Sequence, residues 1–264
     1  MKTQTTFFSK SLKAAVKINA FMRFLMLFLM LGFSHSVISA QSNPVPVQFF
    51  YVPLPEDQIL QALQTTNTNG SASTNPVQTY ISIAAIADNT VIYYDQWENG
   101  FEPDIANPMN LYSGGNPGGT QIWGDGNSAN GAPPGIPSDI INSGTVIILN
   151  NPVTTTSRQS VIDFDVSDKI AATKTISVAR SGWTTGPNTL LADAIEVFDT
   201  DNWGKSFVVP VGENIPNSDS FRIFNYTGLS IMASTNNTNV QIDADANGSF
   251  ETNINLNEGQ GYLV

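Results

Sequence analysis

Oxygen-bearing side chains recur at every second position in Asp243-x-Asp245-x-Asn247-Gly248. That spacing, with glycine at the bend, is how the opening of a calcium loop gathers ligands for a hard cation. The twelfth residue of such a loop should be a bidentate Glu, but position 254 is Ile, and Glu251 stands at the ninth position instead. Asp243, Asp245, Asn247 and Glu251 are therefore the candidate calcium ligands, and a solvated Asn-Gly hairpin turn is the simpler account of the same residues. Two further acid groups, Asp163, Asp165 and Asp168, and Glu196, Asp199 and Asp201, would suit glycoside hydrolysis if two carboxylates flanked a sugar. In so acidic a chain, such pairs also arise freely on wet strand faces. Lys169 and Lys174 have no nucleophile-elbow motif beside them, and no glycine-rich phosphate loop opens a helix, so Ser-Lys chemistry and nucleotide cofactors are not expected. Aromatic side chains offer stacking faces for sugars or proteins. Among Tyr93, Tyr94, Trp97, Phe101, Trp123, Trp183 and Trp203, most are expected in the core. Trp97 and Trp123 border loops, and with Asp125 and Asn127 they are the candidate ligand-binding residues.

Strands must position these groups. Short β-branched runs bounded by Asn, Gly and Pro predict an all-β chain of antiparallel, sandwich-like sheets. The expected strands are Val47–Val52, Thr79–Ala87, Thr90–Trp97, Thr145–Asn150, Ser160–Val166, Thr175–Ser181, Ala194–Phe198, Ser206–Val211, Phe221–Asn225, Gly228–Ser234, Asn239–Asp243, Phe250–Leu256 and Gln260–Val264. Alternation such as Val240 and Ile242 between polar neighbours predicts sheets with one face on a core and one wet. One short helix is expected at 56–64, where Pro55-Glu56-Asp57 precedes Ile59, Leu60 and Leu63, followed by a polar loop at 65–76. Residues 102–139 form the longest irregular segment, an insertion over the sandwich edge or a binding loop.

The chain also repeats itself. Residues 81–100 align without a gap to 229–248, with eight identities including Asn89/Asn237, Thr90/Thr238, Asp95/Asp243 and Gly100/Gly248. Phe50-Tyr51-Val52-Pro53 matches Phe207-Val208-Val209-Pro210 upstream, and the Gly144–Leu149 strand matches Gly259–Val264 downstream. Self-similarity of this kind signals a reused supersecondary unit. The Asn99-Gly100 and Asn247-Gly248 pairs predict type I′ hairpin turns, which need two positive-φ residues. The expected organisation is a signal peptide (1–40), a first complete β unit (41–182) with the long loop 102–139, and a second, incomplete β unit (183–264) packed on the first.

Composition bounds function. Lys2, Lys10, Lys13, Lys17 and Arg23 precede the apolar run Phe24–Phe33 and a small-residue end at Ser39-Ala40, the pattern of a cleaved secretory signal. Ten apolar residues are short of the roughly 20 that span a bilayer, so no membrane span is expected after cleavage. All 22 acids but only six of the 11 bases lie beyond residue 40, a net charge of −16 that argues against nucleic acid as a partner. Cysteine is absent and the one histidine, His35, falls in the leader. A Ser-His-Asp triad, a Cys-His dyad and a His/Cys zinc site are thereby excluded from the mature chain.

The run Val197-Phe198-Asp199-Thr200-Asp201-Asn202-Trp203-Gly204-Lys205-Ser206-Phe207-Val208-Val209-Pro210, with Phe221-Arg222-Ile223 and Thr238-Asn239-Val240 after it and Ser167–Val178 before it, resembles the N-terminal domain of the IgGFc-binding-protein type. Thr175 stands where that pattern has proline. The segments Tyr51–Gln58 and Val91–Gly100 look like the N-terminus of large secreted bacterial surface proteins. The resemblance implies a secreted or cell-surface, non-enzymatic binding or adhesion module, part of a longer protein, whose partner is an extracellular glycan or glycoprotein. No residue that would carry antibody binding transfers. A secreted carbohydrate-active hydrolase and a calcium-stiffened structural spacer are the alternatives.

Overall fold

The computed structural model describes residues 43–54, 77–153, 161–184, 192–210 and 228–264. The expected signal peptide, the helix at 56–64, the polar loop at 65–76 and the strand Phe221–Asn225 lie outside the described residues. The chain is all-β, as its patterning predicts. Strands β1 (Gln48–Tyr51), β3 (Ile92–Asp95), β4 (Gln121–Trp123) and β6 (Lys169–Ala172) form one antiparallel sheet in the order β1-β6-β3-β4. Strands β2 (Val77–Ala85), β5 (Val146–Val153), β7 (Ile176–Thr184) and β8 (Ala192–Val197) form a second, in the order β5-β2-β7-β8.

Period-two alternation makes the interior. Ile81, Ile83 and Ala85 of β2 turn inward, as do Ile147 and Leu149 of β5, and the register sets Ile83 opposite both Ile147 and Val178. Facing them are Phe50, Ile92, Tyr94, Trp123, Ile170 and Ala172 of the first sheet, in one continuous core. The second sheet leaves its outer face partly exposed, with Val146 and Ile148 in solvent. The first sheet departs from the expected wet face. Tyr93, Ile122 and Ala171 on its outer side are covered by Ile105 and Ala106 of the preceding insertion. The segment 102–139 is accordingly not one loop, because β4 runs through it as a core strand.

A second part repeats the first. Strands β9 (Ser230–Met232) and β12 (Gly261–Leu263) pair, as do β10 (Thr238–Ile242) and β11 (Thr252–Leu256). Ile231 opposite Tyr262 reproduces Ile83 opposite Ile147, residue for residue. The turns are duplicated down to single hydrogen bonds. Asn89 and Asn237 take φ of 53° and 58°. Thr90 Oγ1 donates to Ala87 O and Thr238 Oγ1 to Thr235 O, both at 2.7 Å. Asn142 Oδ1 accepts from Asn89 N, as Asn257 Oδ1 does from Asn237 N. Gly144 N donates to Ala85 O at 2.9 Å, and Gly259 N to Ala233 O at 2.8 Å. Both repeats lie in one compact unit, Asn43–Val264, and the junction expected between 182 and 183 falls inside β7.

Three local expectations are corrected. Asn99-Gly100 is not a type I′ turn: Trp97–Asn99 is a 3-10 turn, and Gly100 alone takes positive φ (86°), donating its N–H to Trp97 O. In the second repeat positive φ falls on Ala246 (57°) and Gly248 (91°), not on Asn247. Residues 161–166 are not a strand, because Asp168 Oδ2 accepts from Asp165 N (3.0 Å) and Ser167 takes φ of 70°, which folds the segment into a turn. Residues 206–210 are also not a strand. Their counterpart β1 is held by β6, and a lone extended segment has no ladder to stabilise it.

Candidate functional site

The site begins with a row of side chains across the outer face of the first sheet. Register sets Tyr51 of β1 and Asp95 of β3 on either side of Lys169 of β6. Successive strand residues point to opposite faces, so these three share a face while Phe50, Ile170 and Tyr94 share the core face. Lys169 Nζ donates to Glu258 Oε1 at 2.8 Å, and Tyr51 Oη donates to the same oxygen at 2.5 Å. The ammonium lies 5.7 Å from the ring centres of both Tyr51 and Phe101, which meet edge to face. Burial, and then the hydrogen bond to Glu258, hold the Tyr51 phenol above its ordinary value. Asp95 accepts from Glu102 N and from Thr120 Oγ1, yet burial dominates and pushes its carboxyl up to about 6.

The second repeat docks on this row through the turn 257–260. Gln260 N donates to Asn257 O, Asn257 N to Gln260 Oε1, and Glu258 N to Asn236 Oδ1, which fix the turn internally. Ser167 Oγ then donates to Gly259 O at 2.5 Å. Only glycine fits at 259: its φ is 72°, and a Cβ there would lie 2.7 Å from the Phe101 ring.

Between the two repeats lies a cleft of about 330 Å³, walled by Trp97, Gly100 and Phe101 of the first and by Asn236, Asn257, Glu258 and Gln260 of the second, with Ser167 and Gly259 at its base. Trp97 is fixed from behind. Its backbone N–H reaches Asp168 Oδ1 at 3.3 Å and its indole N–H donates to Asp165 Oδ1 at 2.9 Å. Asp168 is fully buried and also accepts from Tyr94 Oη at 2.5 Å. Desolvation, then the neighbouring Asp165 charge, raises the Asp168 carboxyl well above its usual range. Behind Trp97, carboxylate oxygens of Glu98, Asp163 and Asp165 gather within 4.8 Å of one another. The sequence grouped two of these acids; the fold sets Asp165 to position the tryptophan, while Asp163 Oδ1 accepts from Asn151 Nδ2.

Of the candidate ligand-binding residues, Trp97 alone reaches the cleft. Trp123 is 0 % exposed, stacks on Tyr94 at 5.0 Å and donates its indole N–H to Gln121 Oε1, so a surface role is overturned: β4 carries it into the core. Asp125 and Asn127 build their own loop. Asp125 accepts from Asn127 N and Asn130 Nδ2, while Asn127 caps the 3-10 turn Ser128–Asn130. The loop folds around buried Asp139, which accepts from the N–H groups of Gly124, Gly126 and Asn127.

The candidate calcium ligands do converge in part. One carboxylate oxygen from each of Asp243, Asp245 and Glu251 lies within 4.8 Å of the others. Asn247 does not join them as a ligand, since its Oδ1 accepts from Ser249 N and its Nδ2 donates to Asp245. The carboxylates already close the turn, Asp243 accepting from Asn247 N and Gly248 N, and Glu251 from Ala244 N. Three acids suit a hard cation in type but fall short of the 6–8 oxygens calcium takes. Of the second acid group, Glu196 and Asp201 are exposed on separate elements, and Asp199 caps the 3-10 turn Thr200–Asn202.

Glu258, Gly259, Asn257, Lys169 and Tyr51 are the site residues that sequence reasoning missed. The internal repeat did mark Gly259 as the partner of Gly144, but its contact with Phe101 is long-range. No family model matches the chain, and neither a curated protein nor a solved structure matches it.

Proposed function

We propose that this chain is a secreted or cell-surface, non-catalytic binding module of the adhesive kind, and that the inter-repeat cleft receives an extracellular glycan or glycoprotein. One observation carries the reading: a fixed, half-buried indole beside Phe101 faces a rim of side-chain amides across a concave surface. An apolar ring face with convergent polar groups suits the alternating C–H and hydroxyl surfaces of a sugar. The cleft lining has one carboxylate, Glu258, which is already held by Tyr51 and Lys169. A binder needs no more, whereas a hydrolase needs two. The resemblance of Trp203–Pro210 and its flanking segments to the IgGFc-binding type points the same way.

Retention on immobilised glycans and glycoproteins tests this. The intact chain should be retained on at least one surface, and Trp97→Ala should weaken retention at least tenfold, as loss of a central aromatic anchor does. Asn236→Ala and Gln260→Ala, which also remove the side-chain acceptors of Glu258 N and Asn257 N, should weaken it several-fold with only a small fall in Tm. Equal retention by all three variants would overturn the assignment of the cleft.

A further inference from the structure

The same apolar pattern makes a closed core in the first repeat and, among the described residues, an open one in the second. Phe50 and Tyr51 are each 3 % exposed, whereas their counterparts Phe207 and Val208 are 71 % and 98 % exposed. Ile92 and Tyr94 are buried, and Val240 and Ile242 in the matching positions are only half-buried.

The first repeat shows what closes it. The segment 169–184 enters the first sheet as β6, between β1 and β3, crosses at Thr173–Thr175, and enters the second as β7 beside β2. It brings Ile170, Ala172, Ile176 and Val178 into the core. Among the described residues of the second repeat, β10 pairs only with β11 and β9 only with β12. The edges of β9 and β10 left without a partner among the described residues are those that correspond to the edges sealed by β7 and β6 in the first repeat.

The geometry points to an acceptor for an extended segment of the β6–β7 kind on the second repeat: a partner strand pair with apolar residues at positions 1, 3, 7 and 9, crossing from the edge of β10 to the edge of β9. Backbone N–H and C=O groups on both edges supply the affinity, and the half-open core sets the spacing. Complementarity is built in, because the acceptor strands of the second repeat copy those that this segment closes in the first.

A fluorescent peptide copying Lys169–Ser181, titrated into the full chain, tests this. Saturable one-to-one binding is expected, with added amide-exchange protection at 230–232 and 238–242 and none at β2 or β3. A peptide with Asp in place of Ile170, Ile176 and Val178 should bind at least tenfold more weakly. Absence of binding, or protection confined to other strands, would overturn the inference. So would amides at 230–232 and 238–242 that are already protected without peptide. Protection that depends on protein concentration alone would replace the strand-pair partner by a second copy of the chain.

Discussion

Gly144 and Gly259 occupy equivalent turns, with φ of 84° and 72°, and both donate the same backbone bond to Ala85 or Ala233. Replacing either by Ala forces an L residue into the left-handed region, at a cost of about 1–2 kcal/mol. Around Gly144 a Cβ meets nothing within 4 Å, so Gly144→Ala should cost no more than that. Around Gly259 it would lie 2.7 Å and 2.8 Å from Phe101 ring carbons and 3.3 Å from Ser167 O. Forcing these apart adds about 1–3 kcal/mol, as overpacking generally does. Denaturant unfolding should therefore show Gly259→Ala about 2–5 kcal/mol less stable than wild type, and at least 1 kcal/mol worse than Gly144→Ala. The difference isolates the docking of one repeat on the other, since the turn geometry is common to both. Equal destabilisation would refute the docking.

Other outcomes follow from the same geometry. The Asp95 carboxyl lies near 6 in the folded chain against about 3.8 unfolded, so the folded state holds the proton more tightly. The contribution of Asp95 to stability should be fully present below pH 4 and fall by up to about 3 kcal/mol as pH rises through about 6. Denaturant midpoints of wild type and Asp95→Asn should diverge across that window, and parallel profiles would disprove the assignment. Asp168, also raised, adds a loss of the same sign. Trp123→Ala should cost about 3–5 kcal/mol, because it empties a fully buried site against Tyr94 and Phe164; a loss below 1 kcal/mol would contradict its burial. Because backbone N–H donors close the Asp243–Glu251 turn, chelation with EDTA should leave Tm unchanged, and a fall of several degrees would assign it a bound cation.

Much of the fold was legible because its signals are local. Alternation of Ile81, Ile83 and Ala85 marks a strand whatever it pairs with, and the Asn89-Thr90 and Asn237-Thr238 turns carry their geometry in two residues. The site was less legible. Trp97 could be picked out beside a loop, but Trp123 looked equivalent to it. Which one meets solvent depends on β4, a three-residue strand whose place in the core comes from pairing with β3 rather than from any pattern of its own. Strand 206–210 failed for the converse reason: its residues favour extension, yet the partner that stabilises β1 is not beside it.

Composition and periodicity alone determined the all-β character and the duplication, since side-chain period and turn residues are properties of short segments. Tertiary structure decided what the duplication does. The turn 257–260, a copy of one that faces solvent in the first repeat, is in the second repeat pressed onto Tyr51, Phe101 and Lys169. The cleft beside Trp97 exists because two copies of one turn meet different neighbours, and such long-range pairing leaves no trace in local sequence.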